Sequence, residues 1–140
     1  NGTITKQTID LLAIKQFESI IFDLTDSLGK RNITQALRVL KNLLDSKEPI
    51  QKIFITLYGH FKKIYITSVA LKEKLNVAES LKLKPNQTFL VSKYSGQARY
   101  FKEAELKKIL QEFIELDYKS KNGVIDLNVG LEAILCGHCS

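Results

Sequence analysis

The sequence predicts an all-α fold, a compact helical bundle of about seven to eight helices. Apolar residues recur three and four positions apart through almost every segment, the signature of one buried helix face. No stretch sustains the period-two alternation of a strand flanked by hairpin turns. The intervals between periodic segments are short, which favours antiparallel neighbours in a bundle over a solenoid or a two-domain chain. With 140 residues and 44% hydrophobic content, there is enough apolar surface for a single core.

Taken in order, Thr5 is an N-cap candidate for a short first helix bearing Ile9, Leu12 and Ala13. A second helix runs through Phe17, Ile21, Leu24 and Leu28 and stops at Gly29, where a left-handed residue is expected, with Lys30 and Arg31 as the connection. Asn32 can cap a third helix with Ala36, Leu37, Leu40, Leu43 and Leu44 on one face, ending near Ser46 to Glu48. Pro49 suits the first turn of a fourth, since its missing N–H has no helical partner there. Its stripe runs from Ile50, Ile53, Phe54, Leu57, Phe61 and Ile64 to Leu71 and Leu75, which makes it the longest element and the expected spine. Gly59 within it implies close packing or a slight kink.

Asn76 and Glu79 form a capping-box variant for a short helix through Ala78 and Leu81. Pro85 opens the next, with Phe89, Val91, Tyr94 and Ala98, leading to the pair Tyr100 and Phe101. The seventh helix buries Leu106, Ile109, Leu110, Phe113 and Ile114 and ends at Asn122-Gly123. Asp126 can cap a last helix carrying Leu127, Leu131, Ile134 and Leu135.

Charge is unevenly spread over the net +6. Residues 60–108 hold 11 Lys/Arg against 4 Asp/Glu, whereas residues 109–140 hold 2 against 5. The middle stretch is therefore a candidate surface for nucleic acid or an acidic partner, with Lys62, Lys63, Lys93 and Arg99 the residues to face it. A solvated lysine-rich face explains the same counts. No run approaches the roughly 20 apolar residues that span a bilayer, and no signal-peptide layout opens the chain, so a cytoplasmic protein without membrane contact is expected. The missing initiator Met suggests a piece of a longer polypeptide.

Four stretches resemble the C-terminal third of the delta subunit of bacterial DNA polymerase III, the clamp-loader family. Ile21-Phe22-Asp23-Leu24-Thr25-Asp26-Ser27-Leu28 is similar to the helix that leads into that domain. Ala36-Leu37, Leu40, Leu43-Leu44 and Glu48-Pro49-Ile50 resemble its next run, and Gln97-Ala98-Arg99-Tyr100-Phe101 its characteristic joint. Asp117, Lys121 and Gly123, followed by Leu131-Glu132, match the end of the family pattern. Two positions depart: Lys102 stands where the family has a small capping residue, and Ser120 replaces an apolar neighbour of Lys121.

The resemblance implies a collar domain that joins the helical domains of other loader subunits, gamma/tau and delta-prime, in DNA replication. Residues 1–18 would be the tail of a preceding lid-like domain and residues 19–140 the helical collar domain. The sliding clamp would be bound through an N-terminal domain absent from this sequence, and DNA only indirectly. It also implies a non-catalytic subunit of a nucleotidyltransferase complex, in agreement with the lack of any G-x-x-x-x-G-K-[ST] loop. No cofactor and no metal are expected. The alternative is a stand-alone helical DNA-binding domain using the basic stretch 60–108, although no helix-turn-helix is evident.

Candidate subunit contacts are Asp117 and Lys121, which also read as a helix-stabilising i,i+4 pair. Tyr58, Phe61 and Tyr65 are most simply core, with one edge of the cluster available for docking. Cys136-Gly137-His138-Cys139 spells a disulfide-isomerase motif, but such chemistry requires a thiolate at the start of a following helix. The same letters offer a zinc site too few donors, and His60 lacks a nucleophile partner at any recognisable motif.

Overall fold

The computed structural model describes residues 6–138, with side chains from Leu12 onward. Among these residues there are seven α-helices, one 3₁₀ turn and no strand: α1 (Lys6–Gly29), α2 (Ile33–Asp45), α3 (Ile50–Lys72), α4 (Val77–Ser80), α5 (Phe89–Ala98), α6 (Glu103–Lys121) and α7 (Leu127–Gly137), with the 3₁₀ turn at Pro85–Gln87. None of these helices is long and apolar enough to cross a membrane.

The two helices expected before Gly29 are one. Between Ala13 and Phe17 lies Ile14-Lys15-Gln16, without Gly or Pro, and extending a formed helix costs far less than nucleating another. Thr5, the expected cap, lies outside the described residues. At 24 residues α1 is one longer than α3, so α3 is not the longest element. It is nonetheless the spine, packing against α1, α4, α5, α6 and α7. Its buried residues Ile53, Phe54, Leu57, Phe61 and Ile64 meet Leu24 of α1, Ile109 and Phe113 of α6 and Leu131 of α7 in one core.

Several expected core positions are exposed. Leu71 and Leu75 sit where α3 stops at Lys72 and the chain turns away, and Phe89 opens α5 only after the 3₁₀ turn has consumed the segment from Pro85. Gly59 has open space where a Cβ would stand, so close packing does not explain it.

Helix ends follow one rule with an unexpected residue. Four helices close with a bond from the third residue past the end back to the last turn: Asn32 N–H to Ser27 O, Leu75 to Ala70, Leu83 to Ala78 and Val124 to Lys119, all 2.8–2.9 Å. This Schellman arrangement puts the residue between in the left-handed region. Gly123 does so at φ 70°, as its sequence suggests, but Arg31, Lys74 and Lys82 do so at φ 56–60°. Gly29, expected to be the left-handed stop, stays helical. Its lack of a side chain serves another end, because a Cβ there would lie 2.7 Å from Tyr100 Cβ. Gly130 likewise admits Leu116 between α6 and α7.

Three of the expected caps are present. Asn32 Oδ1 accepts from Gln35 N, Asn76 Oδ1 from Glu79 N and Asp126 Oδ1 from Asn128 N. Pro49 is the N-cap of α3 rather than its first residue, its carbonyl accepting from Lys52 and Ile53. Lys102 caps α6 with no side-chain bond, and Glu103 and Glu105 supply the negative charge that the helix start favours.

Candidate subunit interface

Two polar centres tie the helices of the bundle together. In the interior, His60 Nε2 of α3 lies 2.8 Å from Gln97 Oε1 of α5 and 2.9 Å from Thr25 Oγ1 of α1. Gln97 Nε2 donates to the Phe22 carbonyl at 3.0 Å, which turns its own oxygen toward the ring. A carbonyl can only accept, so His60 Nε2 carries the ring proton. Burial lowers the His60 pKa to about 4, against the raising effect of the Gln97 bond. The rings of Phe22 and Tyr94 flank it at 4.3 and 5.1 Å, and burial pushes the Tyr94 phenol up to about 12. Thr25, His60 and Gln97 are all buried.

At one end, Arg31 grips Glu105 with both terminal nitrogens, at 2.9 and 2.8 Å, and donates to the carbonyls of Tyr100 and His138. The His138 ring lies 3.1 Å from Glu112 and 3.7 Å from Glu105. Burial acts to raise the Glu105 carboxyl, but the Arg31 guanidinium beside it, helped by His138, holds it below the usual carboxylate range. The histidine of the Cys-Gly-His-Cys letters thus ties the end of α7 to α6. Cys136 is a partly buried free thiol, and Cys139 lies outside the described residues. Among the described residues no group of three His, Cys, Asp or Glu side chains is arranged to hold a metal ion.

The surface of interest runs along α3 and α6. A groove of about 310 Å³ is lined by Phe54, Ile55 and Tyr58 of α3 and by Phe113, Ile114, Asp117 and Lys121 of α6. It adjoins a second of about 580 Å³, which shares Phe54, Ile55, Asp117 and Lys121 and reaches Ile125, Asp126 and Leu127 at the start of α7. The floor is aromatic: Phe113 stacks 5.1 Å from Phe54 and 6.1 Å from Tyr58. Ile55 and Ile114 stand on the rim, 66% and 57% exposed, with Tyr118 exposed one turn beyond Ile114. Lys121 Nζ pairs with Asp117 Oδ2 at 3.1 Å on the same rim.

Of the residues singled out from sequence, Asp117, Lys121 and Tyr58 come together here. Phe61 does not: it is 1% exposed, in edge contact with Phe101, and only its simpler reading as core survives. Tyr65 is half-buried and lines neither groove. The basic candidates are dispersed. Lys63 borders a groove with Glu18 and Tyr94, Lys93 lies over the Phe22 ring beside Asp23 and Asp26, and Arg99 borders the end that holds Arg31 and Glu105. Lys62 is exposed on α3 and lines none of these. Sequence periodicity placed Ile114 in the core and passed over Ile55. The signal available was an apolar arc on α6, from Leu110 to Ile114, wider than one neighbouring helix covers.

The class this bundle defines is that of clamp-loader delta proteins. It matches the solved structure of the Bacillus subtilis DNA clamp loader delta protein (YqeN) with a TM-score of 0.81 and 29% identity, over 97% of this chain and 40% of that one. The family model for the DNA polymerase III delta subunit, C-terminal domain, matches residues 18–138, and the chain belongs to that family. The DNA polymerase III subunit delta of Bacillus subtilis (strain 168) is 30% identical over 135 residues, 94% of this chain and 38% of that protein. The chain spans about two fifths of the length of these relatives.

Proposed function

We propose that this chain is the assembly module of a clamp-loader delta subunit, docking against neighbouring loader subunits of the gamma/tau and delta-prime kind and catalysing nothing itself. In that reading residues 1–18 close a preceding domain and residues 19–140 form the collar domain. The sliding clamp is met through the portion outside this sequence, DNA only through the assembled loader, and the site of action is the cytoplasm. One observation carries the proposal: the α3/α6 groove leaves Ile55 and Ile114 bare on its rim above an aromatic floor, beside the Asp117–Lys121 pair, an apolar patch edged by charge of the kind that subunit contacts use. The separate DNA-binding reading gains nothing from the fold, since Lys62, Lys63, Lys93 and Arg99 share no groove.

The test is co-elution with purified loader ATPase subunits. Ile114→Asp, at an exposed position, should weaken the complex by about thirtyfold, the effect of losing roughly 2 kcal/mol at an interface hot spot. Undiminished co-elution of that variant would move the interface elsewhere on the bundle. Binding to primed duplex that falls steeply with salt, with no co-elution, would instead restore direct phosphate recognition.

A further inference from the structure

Gly59 lines a groove of about 320 Å³ that shares no residue with the α3/α6 groove. On the helical wheel of α3, Thr56, Gly59, His60 and Lys63 fall together on one side, and Phe54, Ile55 and Tyr58 on the other. Where a Cβ on Gly59 would stand there is open space, so a larger side chain at this position would take up room in the groove.

The floor of the groove holds two polar atoms that the bundle does not use. His60 Nε2 is committed to Gln97 and Thr25, and because it carries the ring proton, Nδ1 is a bare acceptor. Neither Nδ1 nor the Tyr94 hydroxyl has a hydrogen-bond partner among the described residues, although the two side chains are only 5% and 4% exposed. No buried side-chain nitrogen or oxygen of the described residues is both sealed from solvent and unpaired, so these two atoms reach open space, and the groove is the space that both residues line. A few polar atoms set into a concave site are what orient a small ligand, and the volume is that of a site for a metabolite. Leu83 and Leu90 supply apolar wall, and the exposed mouth carries Lys63 and Lys82 against Glu18. The Lys63 charge is near enough to act on His60. It opposes a cationic donor at Nδ1 and favours a neutral one that carries negative charge at its other end.

We infer that this groove binds a small organic acid whose far end is a neutral hydrogen-bond donor, a hydroxyl or amide N–H directed to His60 Nδ1, with the acid group held by Lys63 and Lys82. NMR of the imidazole nitrogens at pH 7, where His60 is neutral, tests it with para-hydroxybenzoate, which joins a hydroxyl to a carboxylate through an apolar ring. Titration should move the His60 Nδ1 resonance saturably. Benzoate, which lacks the donor, should bind about tenfold more weakly. Phenol, which lacks the acid, should bind about threefold more weakly, since exposed lysines hold a carboxylate less firmly. Gly59→Leu should abolish the shift by filling the groove. Lys63→Gln, at an exposed position, keeps the test decisive if the leucine variant does not fold: it should weaken para-hydroxybenzoate about threefold and leave phenol unchanged. The site is overturned by the absence of a saturable shift at His60, by benzoate binding as tightly as para-hydroxybenzoate, or by an unchanged titration in folded Gly59→Leu. Equal effects of Lys63→Gln on the two hydroxyl ligands overturn it as well.

Discussion

The interior knot of Thr25, His60 and Gln97 and the edge clasp of Arg31, Glu105 and His138 do similar jobs in opposite solvents. Each joins three parts of the chain that are far apart in sequence. The knot uses neutral groups, because a charge between α1, α3 and α5 would be stranded away from water. The clasp uses full charges, because partial exposure keeps them solvated. Burial makes the knot costly to disturb, and solvent makes the clasp forgiving.

Acid should separate the two most sharply. The folded chain holds His60 neutral down to about pH 4, whereas the unfolded chain takes up the proton near 6.5. The His60 contribution is therefore complete above pH 6.5 and is lost as pH falls toward 4, amounting to about 3 kcal/mol. Urea melts between pH 7 and 4 should show this slope, and His60→Gln should flatten it. Next in size, Gln97→Leu takes the Nε2 donor from the Phe22 carbonyl, which keeps only Thr25 Oγ1 as a side-chain donor, and removes an acceptor from His60, and should cost about 2 kcal/mol in the same melts.

The clasp should yield less. Arg31→Ala is expected to cost about 1 kcal/mol, given how much of the side chain water already reaches. Arg31→Gly should cost less than Arg31→Ala, because glycine relieves the left-handed backbone while losing the same ion pair. A glycine variant no more stable than the alanine one would show that the backbone there is unstrained. An effect of the opposite sign should come at Lys82, which has the same left-handed geometry and no ion pair with an acidic group among those described. Lys82→Gly should stabilise the chain by about 1 kcal/mol, read as a raised Tm.

Most of the bundle was legible because it depends on local periodicity. The stripes on α2, α3 and α7 gave their buried faces, and Asn32, Asn76, Gly123 and Asp126 marked helix ends through interactions within a few residues. What failed depended on distant partners. Gly29 was read as a turn residue because nothing local announces that Tyr100 will press against it. Ile114 was assigned to the core because an apolar residue at helical spacing looks the same whether a neighbour covers it or not. The knot was invisible for a related reason, its three members being separated by 35 and 37 residues with no motif to join them. Family resemblance had singled out Gln97-Ala98-Arg99-Tyr100-Phe101 without a reason. The structure supplies one for four of the five: Gln97 enters the knot, Ala98 and Phe101 are buried, and Tyr100 fills the space that Gly29 leaves.

The donation from Arg31 to the His138 carbonyl spans 107 positions of sequence. It sews the two extremities of the bundle together with a single guanidinium, so that most of the fold lies inside one noncovalent stitch. Fraying at the last turn of α7 would thus be felt at once in the first corner of the chain, where α1 turns into α2.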